Sequence, residues 1–144
     1  MPTKNPFPVP LIAAALALGA AAPGRAAQPA EPVRVAPLLT QVLPDLPGKE
    51  VEMLTVEYAP GGRSLPHRHD AHVFVYVLEG RLTMQVRGGA ARTLGPGEVF
   101  YEAPGDVHEV SANASGAEPA RFLVVVLKDR GRPLTRPAPA AGAP

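Results

Sequence analysis

A chain of 144 residues with 14 Lys and Arg against 13 Asp and Glu has room for one domain and carries almost no net charge. Its basic residues stand singly, without a run and without interleaved aromatics, which excludes a nucleic-acid groove. With no cysteine there is neither a disulfide framework nor a lipoprotein attachment residue, so the fold stands on its apolar core alone.

In chain order, residues 1–26 read as an export signal. Lys4 precedes the small apolar run "VPLIAAALALGAAA", and "PGRAAQPAEP" follows with small residues suited to cleavage after Ala26. The run is shorter than the ~20 residues of a membrane-spanning helix, and prolines at 2, 6, 8 and 10 argue against a buried core helix. The expectation is an exported protein, periplasmic or secreted, with no stable membrane insertion after cleavage. Losing Lys4 and Arg25 with the leader leaves twelve basic against thirteen acidic side chains, so the basic character of the full chain says nothing about anionic partners. Residues 27–32 read as a linker and 33–130 as the folded domain. The Pro/Ala-rich stretch 131–144 is expected to be a disordered tail, because it cannot bury enough apolar surface to offset its ordering entropy.

Within the domain, "VEMLTVEY" (51–58), "HVFVYVL" (72–78), "LTMQVR" (82–87), residues 98–102 and "RFLVVVL" (121–127) are predicted strands separated by Gly- and Pro-containing turns. The alternation in 82–87 is strict, with Leu82, Met84 and Val86 on one face and Thr83, Gln85 and Arg87 on the other. Phe74, Tyr76, Phe100, Tyr101 and Phe122 alternate with aliphatics, and most are expected in the core. No segment outside the leader carries a helical period. Short, evenly spaced strands predict an all-β sandwich, jelly roll or small barrel.

The chemistry lies in four histidines, His67, His69 and His72 in "HRHDAH" and His108 in "APGDVHEV". In a strand, His67 and His69 share a face. Two neutral imidazoles, each donating one nitrogen, suit a divalent transition metal. His108 follows a second turn at the start of another β segment, so two antiparallel strands entering one barrel would bring His67, His69 and His108 together. Asp106 and Glu109, which flank His108, read as solvated turn acids, and Asn113-Ala114-Ser115 as a chance match to a glycosylation sequon. The H-x-H-x-D-H pattern of metallo-β-lactamase-type hydrolases is ruled out, since Asp70 follows His69 directly instead of preceding the next histidine.

These residues give the sequence a resemblance to the cupins, double-stranded β-helix barrels of jelly-roll type. The first cupin motif runs glycine, five residues, H-x-H, three or four residues, glutamate, six residues, glycine. Here Gly61 leads to His67-Arg68-His69, and Gly80 closes the motif in "YVLEG". The second runs glycine, five residues, P-x-G-x-x-H, three residues, asparagine, and here Gly97 leads to Gly105 and His108 in register. The resemblance covers about Thr55 to Leu127. It departs from the family at Val73, which stands in the glutamate place and cannot bind a metal, at Ala103 in the proline place, and at Ala112 in the asparagine place, with Asn113 one later.

The resemblance implies one divalent transition metal (Zn, Fe, Ni, Mn or Cu) held by His67, His69 and His108. His72 has two readings. In family register it points out of the barrel, toward solvent or a homodimer contact; with a bulge in the "DA" loop it swings inward as a fourth ligand that replaces the missing carboxylate. No catalytic residue is readable. Three functions follow: a metal-binding barrel that holds a small molecule, a metal-dependent enzyme of dioxygenase or isomerase type, or a metal-free, oligomerising structural barrel.

Overall fold

The computed structural model describes residues 32–139, and the export signal therefore lies outside the described residues. Within them the chain forms β1 (Val33–Val42), β2 (Lys49–Tyr58), β3 (Arg63–Ser64), β4 (His67–Arg68), β5 (Ala71–Glu79), β6 (Leu82–Val86), β7 (Arg92–Leu94), β8 (Val99–Glu102), β9 (Val107–Asn113), β10 (Ala120–Asp129) and β11 (Arg136–Pro137). There is no helix among the described residues. One sheet has the order β1-β2-β10-β5-β8, the other β11-β4-β9-β6-β7 with β3 added to β9. Every pairing is antiparallel.

Alternation decides which residues the two sheets enclose. In β5, Ala71, Val73, Val75 and Val77 are buried while His72, Phe74 and Tyr76 are exposed. In β10, Ala120, Phe122, Val124 and Val126 point inward. Leu82 and Met84 of β6 are fully buried opposite them, as the strict alternation predicted. The valine-rich inward rows also explain a correction to the expected core. Phe100 and Phe122 are buried, but Phe74, Tyr76 and Tyr101 lie about half exposed on the outer face, because valines take the inward positions of β5 and Phe100 and Glu102 those of β8.

The predicted strands all form, within a residue or two at each end. Sequence reading missed β1, an edge strand with a register shift between Pro37 and Leu39, and the two- and three-residue strands β3, β4, β7 and β11. It also misread the start of the tail. Residues 131–139 fold back on the barrel: Leu134 packs against the core, and Arg136 and Pro137 pair with Arg68 and His67. The ordering cost is offset by one partly buried leucine and by backbone and side-chain hydrogen bonds, none of which composition reveals.

Gly80, which closes the first motif, has φ +73° at the corner after β5. A Cβ there would sit 2.4 Å from the Pro119 carbonyl oxygen, so this corner accepts only glycine. Asn113 serves the fold as well. It is buried and its Nδ2 donates to the carbonyls of Ala59 and Glu118 at 3.1 and 2.7 Å, which leaves the sequon asparagine closed to modification.

Candidate metal centre

Two crossings between the sheets build the site. The chain leaves one sheet at Arg68 and enters the other at Ala71, and it makes the reverse crossing between Glu102 and Val107. The Gly105 amide donates to the His69 carbonyl at 2.9 Å, tying the two crossings together. Gly105 itself takes φ +85°, in a turn that Asp106 caps by accepting from the Ala103 amide at 2.8 Å. Asp106 thus has a structural task in the turn, and Glu109 pairs with Arg87 at 2.5 Å.

His67 of β4 lies directly opposite His108 of β9 in the ladder, and His69 follows two residues after His67, so three of the four predicted histidines come together. The ring centroids of His67 and His69 are 5.0 Å apart, and those of His67 and His108 5.2 Å. His72 does not join them. Strand β5 keeps family register across the "DA" loop without a bulge, so His72 is exposed on the outer face and its Nδ1 meets the Tyr101 hydroxyl at 2.8 Å. Of the two readings of His72, the structure takes the outward one.

Each of the three converging rings is oriented by an acceptor at Nδ1. For His67 it is the Leu65 carbonyl at 2.7 Å, for His69 the Leu134 carbonyl at 2.6 Å, and for His108 the Glu102 carboxylate at 3.0 Å. A carbonyl oxygen can only accept, so Nδ1 carries the hydrogen in His67 and His69, and in the neutral ring Nε2 keeps its lone pair. Burial pushes the His67 pKa down, and the neighbouring His69 and His108 add to the effect against the Leu65 carbonyl. The neutral form that offers a ligand nitrogen is therefore favoured.

Glu102 is the residue that sequence reading missed. It is 2% exposed, ends β8, and reaches between two of the histidines, with Oε1 on His108 and Oε2 at 3.9 Å from His69 Nε2. A signal for it exists: Glu102 stands two residues after Phe100 on the same strand, so if Phe100 is core, Glu102 points inward too.

The four residues line one end of a cavity of about 290 Å³ between the sheets. Its remaining wall is mainly aliphatic and aromatic, including Val35, Leu54, Val124 and Phe122. Tyr58 adds a polar point, its hydroxyl held between Ser64 at 2.6 Å and Ser111 at 2.8 Å, and burial raises its pKa.

The donor set suits a divalent transition ion, combining neutral imidazoles with one carboxylate. Two of its atoms, His108 Nε2 and Glu102 Oε2, are buried without a hydrogen-bond partner, an arrangement that costs free energy unless something else engages them. Among the described residues, no three His, Asp or Glu side chains enclose an ion as they stand; Glu102 pairs with His108 instead.

Comparison with known proteins fits this geometry. The Cupin domain family matches residues 54–126. The chain belongs to the cupin family. The rhicadhesin receptor of Pisum sativum is 39% identical over 88 residues, covering 58% of this cupin and 40% of the receptor; the chain thus spans about two-fifths of that relative's length. Among solved structures, the polyketide cyclase RemF of Streptomyces resistomycificus superposes with a TM-score of 0.58 at 26% identity, covering 78% of this cupin and 75% of the cyclase. A cupin-like protein of Thermotoga maritima gives a TM-score of 0.59 at 23% identity, covering 74% and 75% of the two chains. Such neighbours bear out the expected all-β cupin barrel.

Proposed function

We propose that this cupin binds one divalent transition ion through His67, His69 and His108 and admits a small, mainly apolar molecule to the cavity beside it. The observation that carries the reading is the shared orientation of the three rings, each bonded at Nδ1 with Nε2 left to donate, the outer-shell pattern that orients metal-binding histidines. The cavity lies at the low end of ligand-pocket sizes, ~300–1,000 Å³, and its aliphatic wall selects a ligand with an apolar body and one or two polar atoms near the histidines. A bound ion would supply Lewis acidity toward a ligand oxygen. The protein's own part is to hold the rings, exclude water with the aliphatic wall, and offer the Tyr58 hydroxyl as a hydrogen-bonding point.

One observation favours turnover as a second reading. With valine in the glutamate place, the motifs supply no inward acid or base, but Glu102 brings a buried carboxylate to the histidines. A metal-dependent enzyme acting on a small metabolite fits that arrangement. Export rests on the leader-like residues 1–26, and N-terminal sequencing of the mature protein from the cell envelope or medium tests it.

Elemental analysis of untagged protein, reconstituted in turn with Zn(II), Fe(II), Ni(II), Mn(II) and Cu(II), tests the metal. The expected result is one ion per chain, lost in His67→Ala. Wild-type protein that takes up none of these ions would overturn the reading.

A further inference from the structure

The first cupin motif is incomplete at Val73, an aliphatic residue that is 1% exposed. In the ladder between β5 and β8, the residue directly opposite Val73 is Glu102. Directly opposed residues of an antiparallel pair point to the same face with Cβ atoms about 4.5–5.5 Å apart. A carboxylate at 102 therefore enters the barrel beside the place where a carboxylate at 73 would.

The electrostatics of Glu102 point the same way. Among the described residues, the groups within ion-pair distance of it are the imidazoles of His69 and His108, and no lysine or arginine joins them. Oε1 is hydrogen-bonded to His108, but Oε2 is buried without a partner, and a buried polar atom left unpaired costs free energy.

We infer that Glu102 is the carboxylate ligand of this cupin, delivered from β8 in place of the glutamate that the motif carries on β5. An imidazole's Nδ1 and Nε2 point to opposite sides of the ring, so Glu102 gives up its bond to His108 Nδ1 when its carboxylate joins an ion held at His108 Nε2. The inference rests on the metal-binding reading above. It makes the donor set three imidazoles and one carboxylate, so a divalent ion retains one net positive charge, and the oxygen donor widens the choice toward ions that favour oxygen.

Titration of metal-free protein with Co(II), followed by its visible absorption, tests the assignment in wild type, Glu102→Gln, His67→Ala and the relocation variant Val73→Glu/Glu102→Val. Loss of the ligand in Glu102→Gln is expected to weaken Co(II) binding by at least about tenfold and to shift the absorption bands, while the relocation variant recovers wild-type affinity to within a few-fold. Glu102→Gln with wild-type affinity would overturn the inference and leave the histidine site standing. Weaker binding with unchanged bands would also overturn it, since the carboxylate would then act only through His108. Wild type that binds no Co(II), or binds it equally well in His67→Ala, overturns the metal-binding reading itself. Should Glu102→Gln not fold, the relocation variant decides: Co(II) bound with near wild-type affinity supports the assignment, and a folded variant that binds none refutes it.

Discussion

Two glutamates are buried in this barrel, and their surroundings are opposite. Glu50, on β2, accepts from the Lys128 ammonium at 2.5 Å and from the Gly131 amide at 3.0 Å, and Lys128 also reaches Glu52 at 2.9 Å. Among the described residues, Glu102 has two imidazoles, no lysine or arginine, and one oxygen without a partner. The first carboxylate is satisfied by the chain itself and fastens β2 to β10. The second keeps one buried oxygen unsatisfied. Depth of burial does not separate a structural acid from a site acid here; the partners do.

The sharpest way to break this contrast is to remove the lysine. Lys128→Met leaves Glu50 and Glu52 facing each other without their cation and is expected to cost about 3–5 kcal/mol, read as a fall in melting temperature on the order of 15–20 °C for a domain of this size. A change of a degree or two would mean that the cluster is wetter than its burial indicates.

Next in size is the pH dependence of the same cluster. The Lys128 hydrogen bond first, and the Gly131 amide second, hold the Glu50 pKa below the usual carboxylate value. For Lys128, burial opposes the charge most strongly, but the hydrogen bonds to Glu50 and Glu52 together outweigh it and hold its pKa above the usual amine value. A lowered carboxylate stabilises the fold above its ordinary pKa, and that stability is lost as pH falls through the folded value. A raised ammonium stabilises it below its ordinary pKa, and that stability is lost as pH rises through the folded value. The cluster's contribution to melting temperature is therefore expected to be flat around neutrality and to fall in both acid, below about pH 4.5, and alkali, above about pH 10.5. In Lys128→Met the alkaline limb should shrink.

A smaller effect, of opposite sign, is expected at the other glutamate. In chelator-treated protein, Glu102→Gln replaces a carboxylate that has one buried oxygen without a partner, so its melting temperature should equal or exceed that of wild type. A loss as large as that of Lys128→Met would show that the two carboxylates are alike after all. The smallest effect belongs to His72→Ala. An exposed residue on the outer face should change stability by less than about 0.5 kcal/mol and leave bound metal per chain unchanged.

Sequence carried the barrel and three of the four side chains that meet at the candidate site but not the fourth. The strict alternation of β6, the H-x-H spacing and the second turn before His108 are local patterns, and each predicted what the structure shows. Glu102 is local too, and it follows the direction of Phe100, yet "VFYE" alone does not decide whether Phe100 or its apolar neighbours Val99 and Tyr101 face inward. That choice is made by pairing with β5, where Val73 and Val75 already face the cavity. The same limit applies to His72, whose direction depends on whether the two-residue link before β5 bulges. Strands β4 and β11 are two residues each, and they exist only because partners distant in the chain lie alongside, β9 and β11 for β4 and β4 for β11. Exposed β1, with its register shift, carries too weak an inward pattern to be read before its neighbour is known.

The bond from His69 Nδ1 to the Leu134 carbonyl joins residues 65 positions apart, and this has a consequence for biogenesis. A polypeptide emerging from the ribosome presents "HRH" long before Leu134 has been made. During that interval nothing fixes the tautomer of the second histidine, and the lower wall of the cavity is missing. A nascent chain therefore holds these imidazoles as loosely as a free peptide would, and the finished geometry arises only when the last strand docks, after synthesis has passed residue 137.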